Sequence, residues 1–345
     1  MVGLSLIFGL QCPAEENLRL YVSIEDSGEI AVVDPGAGRV IQHISVGKRP
    51  RGVKLSPDGK FLYVALSGSP IAGPEVDASK LPAADRSADG IGVVDLATFK
   101  LSRILPGGQD PEAFDVSPDG MSLYISNEET AEISVLDIAS ARVRRKVPVG
   151  SEPEGVTVRP DGKVVYVACE DSSEVVAIDA TSLKVLSHMQ TELRPRSVVF
   201  AEDGRIAFAT AERGAAVTVL DGTRHKTLQT VKIPAQTGGL SPPRPMGAVL
   251  SPDGRSIFVS NGRGGTVARI DVVTRKVTRM INDVGNRPWG IAVSPDGTQI
   301  YTANGPSGDV SVIDVETGRV KQRLHVGGRP WGLVVAESSE RDLKN

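Results

Sequence analysis

The sequence predicts an all-β fold, a seven-bladed β-propeller of four-stranded antiparallel blades in which a C-terminal strand joins three N-terminal ones. Three observations carry this. A unit of the form Arg-Pro-x-Gly, a short apolar run and Ser-Pro-Asp-Gly recurs, with its proline at Pro50, Pro111, Pro153, Pro195, Pro245, Pro288 and Pro330. The intervals are 61, 42, 42, 50, 43 and 42 residues, so the basic period is about 42 with two insertions, as four-stranded blades require. The last unit holds only an innermost strand, and the first strands lack one, so the two ends complete a blade.

Residues 1–15 read as a signal-like or disordered segment. The apolar run MVGLSLIFGL is too short to span a bilayer, lacks a basic start and a clear Ala-x-Ala site, and leads to Cys12 through a poor lipobox. A signal remnant or a mis-assigned start is the reading, and with it a periplasmic or secreted protein with no membrane span. The propeller is expected over 16–336, followed by a polar tail at 337–345.

With strands named A to D from the inside out, Leu18–Val22, Ile30–Asp34 and Val40–Val46 form a B, C, D set. The repeat is plainest at 288–326. Pro288–Val293 is strand A, and Ser294-Pro295-Asp296-Gly297 is a tight turn in which proline presets φ while Asp and Gly tolerate turn conformations. Gln299–Ala303, Val310–Asp314 and Val320–Val326 follow as B, C and D, β-branched and alternating as half-buried strands are. Pro330–Val335 is the closing strand A. Insertions fall at 67–90, between B and C, and at 235–243, between D and A.

Composition agrees. Aromatics make up only 4% of the 345 residues, so Val, Ile, Leu and Ala must fill the core, and 37 Gly with 23 Pro punctuate many short strands. A net charge of −3 argues against indiscriminate binding to phosphate backbones. Cys12 and Cys169 have no metal-ligand or disulfide spacing, and Cys169 reads as a small buried residue.

Strand order places the D–A and B–C loops on one face, with the Ser-Pro-Asp-Gly and C–D turns on the other. The residue after each repeat proline should ring the channel mouth, in the order Trp331, Arg51, Glu112, Glu154, Arg196, Met246, Trp289. The preceding ring reads Arg329, Arg49, Asp110, Glu152, Arg194, Arg244, Arg287. An acidic arc is expected opposite an Arg/Trp arc, with the two tryptophans neighbours across the closure. In one reading these residues wedge blades together and the arginines pair with carboxylates. In the other, Trp289 and Trp331 stack a flat anionic ligand or a partner side chain, with Met246 beside them. Arg287, Arg329, Arg49, Arg51 and Arg196 then supply the cationic contacts, Arg287, Arg329 and Arg49 as forks on carboxylates.

Glu112 and Glu154, with Glu128 and Glu170, offer oxygens suited to calcium, against which stands the reading of solvated carboxylates paired with Arg51 and Arg196. His43, His188, His225 and His325 are expected on strand D or the C–D turn of different blades, facing solvent, so no triad or common metal site is drawn from them. No GxSxG, P-loop or dinucleotide fingerprint occurs, and the recurrent serines Ser56, Ser117, Ser251 and Ser294 are turn residues.

The runs Ser56–Ala65 and Val310–Asp314 resemble the YVTN-repeat β-propellers over nearly the whole chain. Ser67–Pro74 with Asp85–Gly90, and Ala303–Asp309, resemble the branch named for association with PQQ-dependent catabolism. That resemblance implies an exported protein working beside quinoprotein alcohol oxidation. A quinoprotein dehydrogenase or another periplasmic protein is then the expected partner, and a quinone polycarboxylate such as PQQ suits the Arg/Trp arc. The chain is not similar to the dehydrogenase itself, which has eight blades and an adjacent cysteine pair. A non-enzymatic binding or scaffolding role, with no cofactor of its own, is therefore expected. The alternatives are a metal-assisted hydrolase or lyase on the Glu112/Glu154 arc, and a single-stranded nucleic-acid binder, which the acidic arc and net charge oppose.

Overall fold

The computed structural model describes residues 18–71, 80–235 and 241–337. The expected leader, the expected tail except Glu337, which ends a strand, Cys12, and parts of both insertions lie outside the described residues. Twenty-eight strands form seven antiparallel sheets of four, which are the seven blades. Among the described residues no helix is long and apolar enough to cross a membrane.

Blade I is the closure: β28 (Pro330–Glu337) pairs with β1 (Leu18–Ile24), which pairs with β2 (Glu29–Asp34) and then β3 (Arg39–Ser45). Its register sets Leu18 opposite Glu337 and Val22 opposite Leu333. The other blades run in chain order. Their innermost strands are β4 (Pro50–Leu55), β8 (Pro111–Val116), β12 (Pro153–Val158), β16 (Pro195–Phe200), β20 (Pro245–Leu250) and β24 (Pro288–Val293), heading blades II to VII. Every repeat proline thus opens an inner strand, where its missing N–H costs no ladder bond.

The Ser-Pro-Asp-Gly turns are built as their composition requires. Ser294 Oγ donates to Asp296 Oδ1 at 2.5 Å, and Gln299 N donates back to Ser294 Oγ at 2.9 Å. Gly297 takes φ +72°, which a side chain would strain. These serines are structural. The aspartate ending strand C plays a comparable part on the same face, since Asp314 Oδ1 accepts from Thr317 N at 2.8 Å and so closes the C–D turn.

Apolar side chains of neighbouring blades interlock to give the core. Leu20, Val22 and Leu333 of blade I meet Tyr301, Val310 and Leu324 of blade VII, and similar clusters fill the other seams. Around the axis five of the seven inner strands carry glycine at the residue following the mouth ring, where the neighbouring strand approaches too closely for a side chain. A Cβ on Gly290 would stand 2.7 Å from Trp331 O, and one on Gly332 2.7 Å from Arg51 O. Strand-B hydroxyls stitch the same seams: Ser23 Oγ donates to Arg51 O at 2.6 Å, Thr210 Oγ1 to Met246 O at 2.7 Å and Ser260 Oγ to Trp289 O at 2.6 Å. Outer D strands such as β11 (Arg142–Pro148), with Arg142, Arg144, Arg145 and Lys146, are highly charged, a composition that discourages edge-to-edge pairing.

Candidate binding site at the channel mouth

The seven inner strands enclose a cavity of about 390 Å³ on the axis, and Glu154, Arg196, Met246, Trp289 and Trp331 stand in its wall. Trp289 and Trp331 meet edge to face, ring centroids 5.6 Å apart and planes at 73°, across the seam that closure creates. Arg287 lies over Trp289, its Cζ 4.7 Å from the ring centroid, a cation–π contact. Trp289 Nε1 is buried and has no hydrogen-bond partner among the described residues.

Local backbone geometry aims the outer ring. Arg49, Asp110, Glu152, Arg194 and Arg287, each just before a repeat proline, have φ between +44° and +65°. Left-handed backbone costs about 1–2 kcal/mol for a residue with a Cβ, and five of the seven residues of this ring adopt it. The first residue of the B–C loop is tied to this ring by its backbone: Glu25 N donates to Arg329 O at 2.9 Å, Glu170 N to Glu152 O at 2.8 Å and Glu212 N to Arg194 O at 2.8 Å.

Charges at the mouth interleave, which corrects the expectation of separate acidic and basic arcs. Arg51 is fully buried and pairs with Glu112; its Nη2 reaches Asp110 Oδ1 at 2.5 Å and Pro111 O at 2.9 Å, and Glu128 stands 3.6 Å away. Arg49 Nε donates to Glu25 Oε1 at 2.9 Å, and Arg329 approaches the same carboxylate at 3.8 Å. A second network joins Glu154, Glu170 and Glu212 to Arg194 and Arg196. Four of the five arginines expected to face a ligand, Arg49, Arg51, Arg196 and Arg329, therefore hold carboxylates already. Arg287 alone of the five has no such partner among the described residues. Met246 is buried in the cavity wall.

The carboxylates are likewise engaged. Glu112 and Glu154 pair with Arg51 and Arg196, as one reading of the sequence expected, but both are buried and not solvated. Among the described residues no group of three or more His, Cys, Asp or Glu side chains is placed to hold a metal ion, so Glu112, Glu154, Glu128 and Glu170 do not converge. Burial pushes Asp110 up, but Arg51 and the Ser67 hydroxyl outweigh it and hold the carboxyl below its ordinary range. For Glu154 burial wins and pushes the carboxyl up to about 7. Arg196 Nε lies 2.7 Å from it without hydrogen-bond geometry, and Arg196 shares its charge with Glu170.

The histidines stay apart on β3, β15 (Val185–Gln190), β27 (Val320–His325) and the turn after β18 (Ala216–Asp221). His225 is not the solvent-facing residue expected: it is half-buried, with Nδ1 2.8 Å from the Tyr166 hydroxyl of blade IV, and burial lowers its pKa. Cys169 is buried as expected, its thiol pushed up to about 12 by burial.

Sequence comparison adds kinship to this geometry. The model of the YNCE-like β-propellers matches residues 68–163 and 157–341, most of the chain. The chain belongs to that family. The YNCE-like propeller is also 31% identical over 109 residues to antigen Lp49 of Leptospira interrogans, a match covering 32% of this chain and 23% of that protein. It therefore spans under a quarter of that relative's length. Among solved structures, the periplasmic gluconolactonase PpgL of Pseudomonas aeruginosa superposes with a TM-score of 0.72 at 20% identity, over 93% of this chain and 99% of that one. Hydrazine synthase of Kuenenia stuttgartiensis gives 0.68 at 22% identity, over 84% and 96%. At such identity the likeness is one of fold.

Sequence reasoning missed Glu25 and Glu212 as members of the charge networks. Their signal was present: the residue after strand B is Glu25, Glu128, Glu170 and Glu212 in blades I, III, IV and V, but Ser67 in blade II and Gly262 and Gly305 in blades VI and VII.

Proposed function

We propose that this YNCE-like propeller is an exported, non-catalytic binding protein that takes a flat organic anion at its channel mouth and works beside quinoprotein-dependent alcohol oxidation. One observation carries the binding claim: the buried, unpartnered Trp289 Nε1 in the wall of the channel cavity. An orphaned buried donor costs about 1–3 kcal/mol, which a ligand oxygen would recover. The crossed Trp289/Trp331 rings offer a stacking surface and Arg287 an uncommitted guanidinium. The cavity, about 390 Å³, falls in the range of small-molecule sites, roughly 300–1,000 Å³. PQQ, a quinone polycarboxylate, suits such a surface, and a quinoprotein dehydrogenase is the partner in keeping with it. The branch resemblance of 67–90 and 303–309 supports both.

Both tryptophans stand at the proposed site, so intrinsic fluorescence reports on it directly. Titration with PQQ should change the emission, and Trp289→Phe, which keeps a ring but loses the N–H, should weaken binding about tenfold. No response to PQQ, or undiminished affinity in Trp289→Phe, rejects the reading.

Glu154 favours a second reading, hydrolysis of a small lactone. It stands in the cavity wall with a carboxyl pushed up to about 7 by burial, a value suited to proton transfer near neutrality. Gluconolactone turnover abolished by Glu154→Gln would select it; absence of turnover by the purified chain would discard it. A metal-assisted version further requires activity that chelation removes.

A further inference from the structure

Blades VI and VII leave positive charge at the mouth uncompensated. Four blades begin the B–C loop with a glutamate, and Glu25, Glu128, Glu170 and Glu212 all reach arginines of the mouth. In blades VI and VII glycine takes this place, Gly262 and Gly305, and blade VI adds Arg263 directly after it. As a result Arg244, Arg263 and Arg287 form no ion pair among the described residues. Arg244 Nε is buried without a hydrogen-bond partner among the described residues. The Arg287 pKa is lowered, first by burial and then by the nearby charge of Arg263. Glu212, the acidic group acting on Arg287, already serves Arg194 at 3.4 Å and Arg196 at 4.0 Å.

Two of these cations line a concavity. A pocket of about 200 Å³ lies over blade VI, between the two D–A connections and the B–C turn, with Arg263 and Arg287 in its wall beside Ser241 and Asn286. Among the described residues its wall contains no Asp or Glu. Gly264, Gly265 and Gly285 keep the floor bare; a Cβ on Gly265 would stand 3.1 Å from Gly285 O. Two guanidiniums, a hydroxyl and an amide around such a floor form a donor set suited to oxygens carrying more than one negative charge.

We propose that the Arg263/Arg287 pocket on blade VI is a binding site for a small oxyanion of at least two charges, a phosphomonoester or a dicarboxylate. The site lies outside the channel cavity and stands whether or not PQQ binds there. Arg287 belongs to both neighbourhoods, so an anion drawing its guanidinium aside changes the surroundings of Trp289.

Calorimetric titration of the full chain with inorganic phosphate and with malonate, using chloride as the control, tests the site. Phosphate or malonate should bind in the millimolar range or tighter and alter tryptophan emission. Arg263→Gln should weaken binding about tenfold, the loss of one charge-assisted contact. Gly262→Glu, which supplies the carboxylate four other blades carry, should do the same. Its new Cβ meets the flexible Met246 Cγ at 3.1 Å, and an unchanged melting temperature verifies the fold. Binding of phosphate but not malonate identifies a phosphomonoester site, and the reverse a dicarboxylate site. If neither binds at about 10 mM, or if both variants bind as the native chain does, the proposal is overturned. Trp289→Phe distinguishes the two sites, because it should weaken PQQ binding in the channel and leave the heat of phosphate binding in place.

Discussion

Replacing Arg51 by Met strips the mouth of its most buried charge. The side chain is 1% exposed, and its partners Asp110 and Glu112 are 8% and 7% exposed. Met fills much of the volume, so the chief loss is electrostatic: two carboxylates stay buried, with only Arg49 left near Asp110 at 3.8 Å. Removing one side of a buried ion pair costs about 3–5 kcal/mol. With roughly 2 cal mol⁻¹ K⁻¹ per residue of unfolding entropy, the melting temperature should fall by about 4–8 °C at pH 7. Scanning calorimetry and urea unfolding measure it. Neutralising the stranded groups in Arg51→Met/Asp110→Asn/Glu112→Gln should restore at least half the loss, since an unpaired buried charge costs far more than a neutral polar group. The pH dependence has a definite sign. In the native chain Asp110 titrates below its ordinary value, so its stabilising share is present at neutral pH and is lost as pH falls through its folded pKa. In the single variant the burial of Asp110 is no longer opposed by Arg51 and its carboxyl titrates higher, so the deficit should narrow from pH 7 towards pH 4. A drop below about 1 °C, or a triple variant no more stable than the single one, refutes this reasoning.

Glu154→Gln should behave in the opposite sense. Its folded pKa of about 7 exceeds the unfolded value near 4.3, so the native chain loses stability as pH rises between the two. The variant should be more stable than native by about 1–3 kcal/mol at pH 8 and nearly equal to it at pH 5, read from melting temperatures across that range. Tyr166→Phe removes the hydroxyl that meets His225 Nδ1 at 2.8 Å and Asp221 O at 3.2 Å, and should cost about 1 kcal/mol in urea. A chain ending before Pro330 loses β28 and exposes the β1 edge; gel filtration should find it aggregated or swapped, and a monomer with native stability would contradict the closure.

The blades were legible in the sequence because one structural unit repeats. Each proline opened an inner strand, each Ser-Pro-Asp-Gly made the A–B turn, and ring order put Trp289 against Trp331. The same order set Arg51 beside Glu112 and Glu154 beside Arg196, yet it hid the wider charge networks. Those bonds join the mouth ring to B–C loops, and of the loop glutamates the sequence drew in only Glu128 and Glu170, as candidate calcium oxygens rather than as partners of the arginines. Glu25 and Glu212 emerged only when the folded backbone brought the B–C loop to the D–A loop. Burial was invisible for a related reason: a carboxylate after a proline reads as surface, and the depth of the channel wall makes Glu154 an interior group. His225 departed from its expectation because the C–D turn of blade V leans onto Tyr166 of the preceding blade.

The pairing of Leu18 with Glu337 also has a kinetic consequence. Six blades are hairpin sets that can form as each emerges from synthesis, whereas blade I needs the first strand and the last together. Its contacts join the most distant parts of the ring, so the entropy of closing a very long loop falls on one late step. Until that step an inner-strand place stands vacant between β24 and β4, and the axial cavity lacks the wall that carries Trp331. Ring closure and completion of the mouth are then a single event, so the chain gains its binding surface at the moment it stops being open to mispairing.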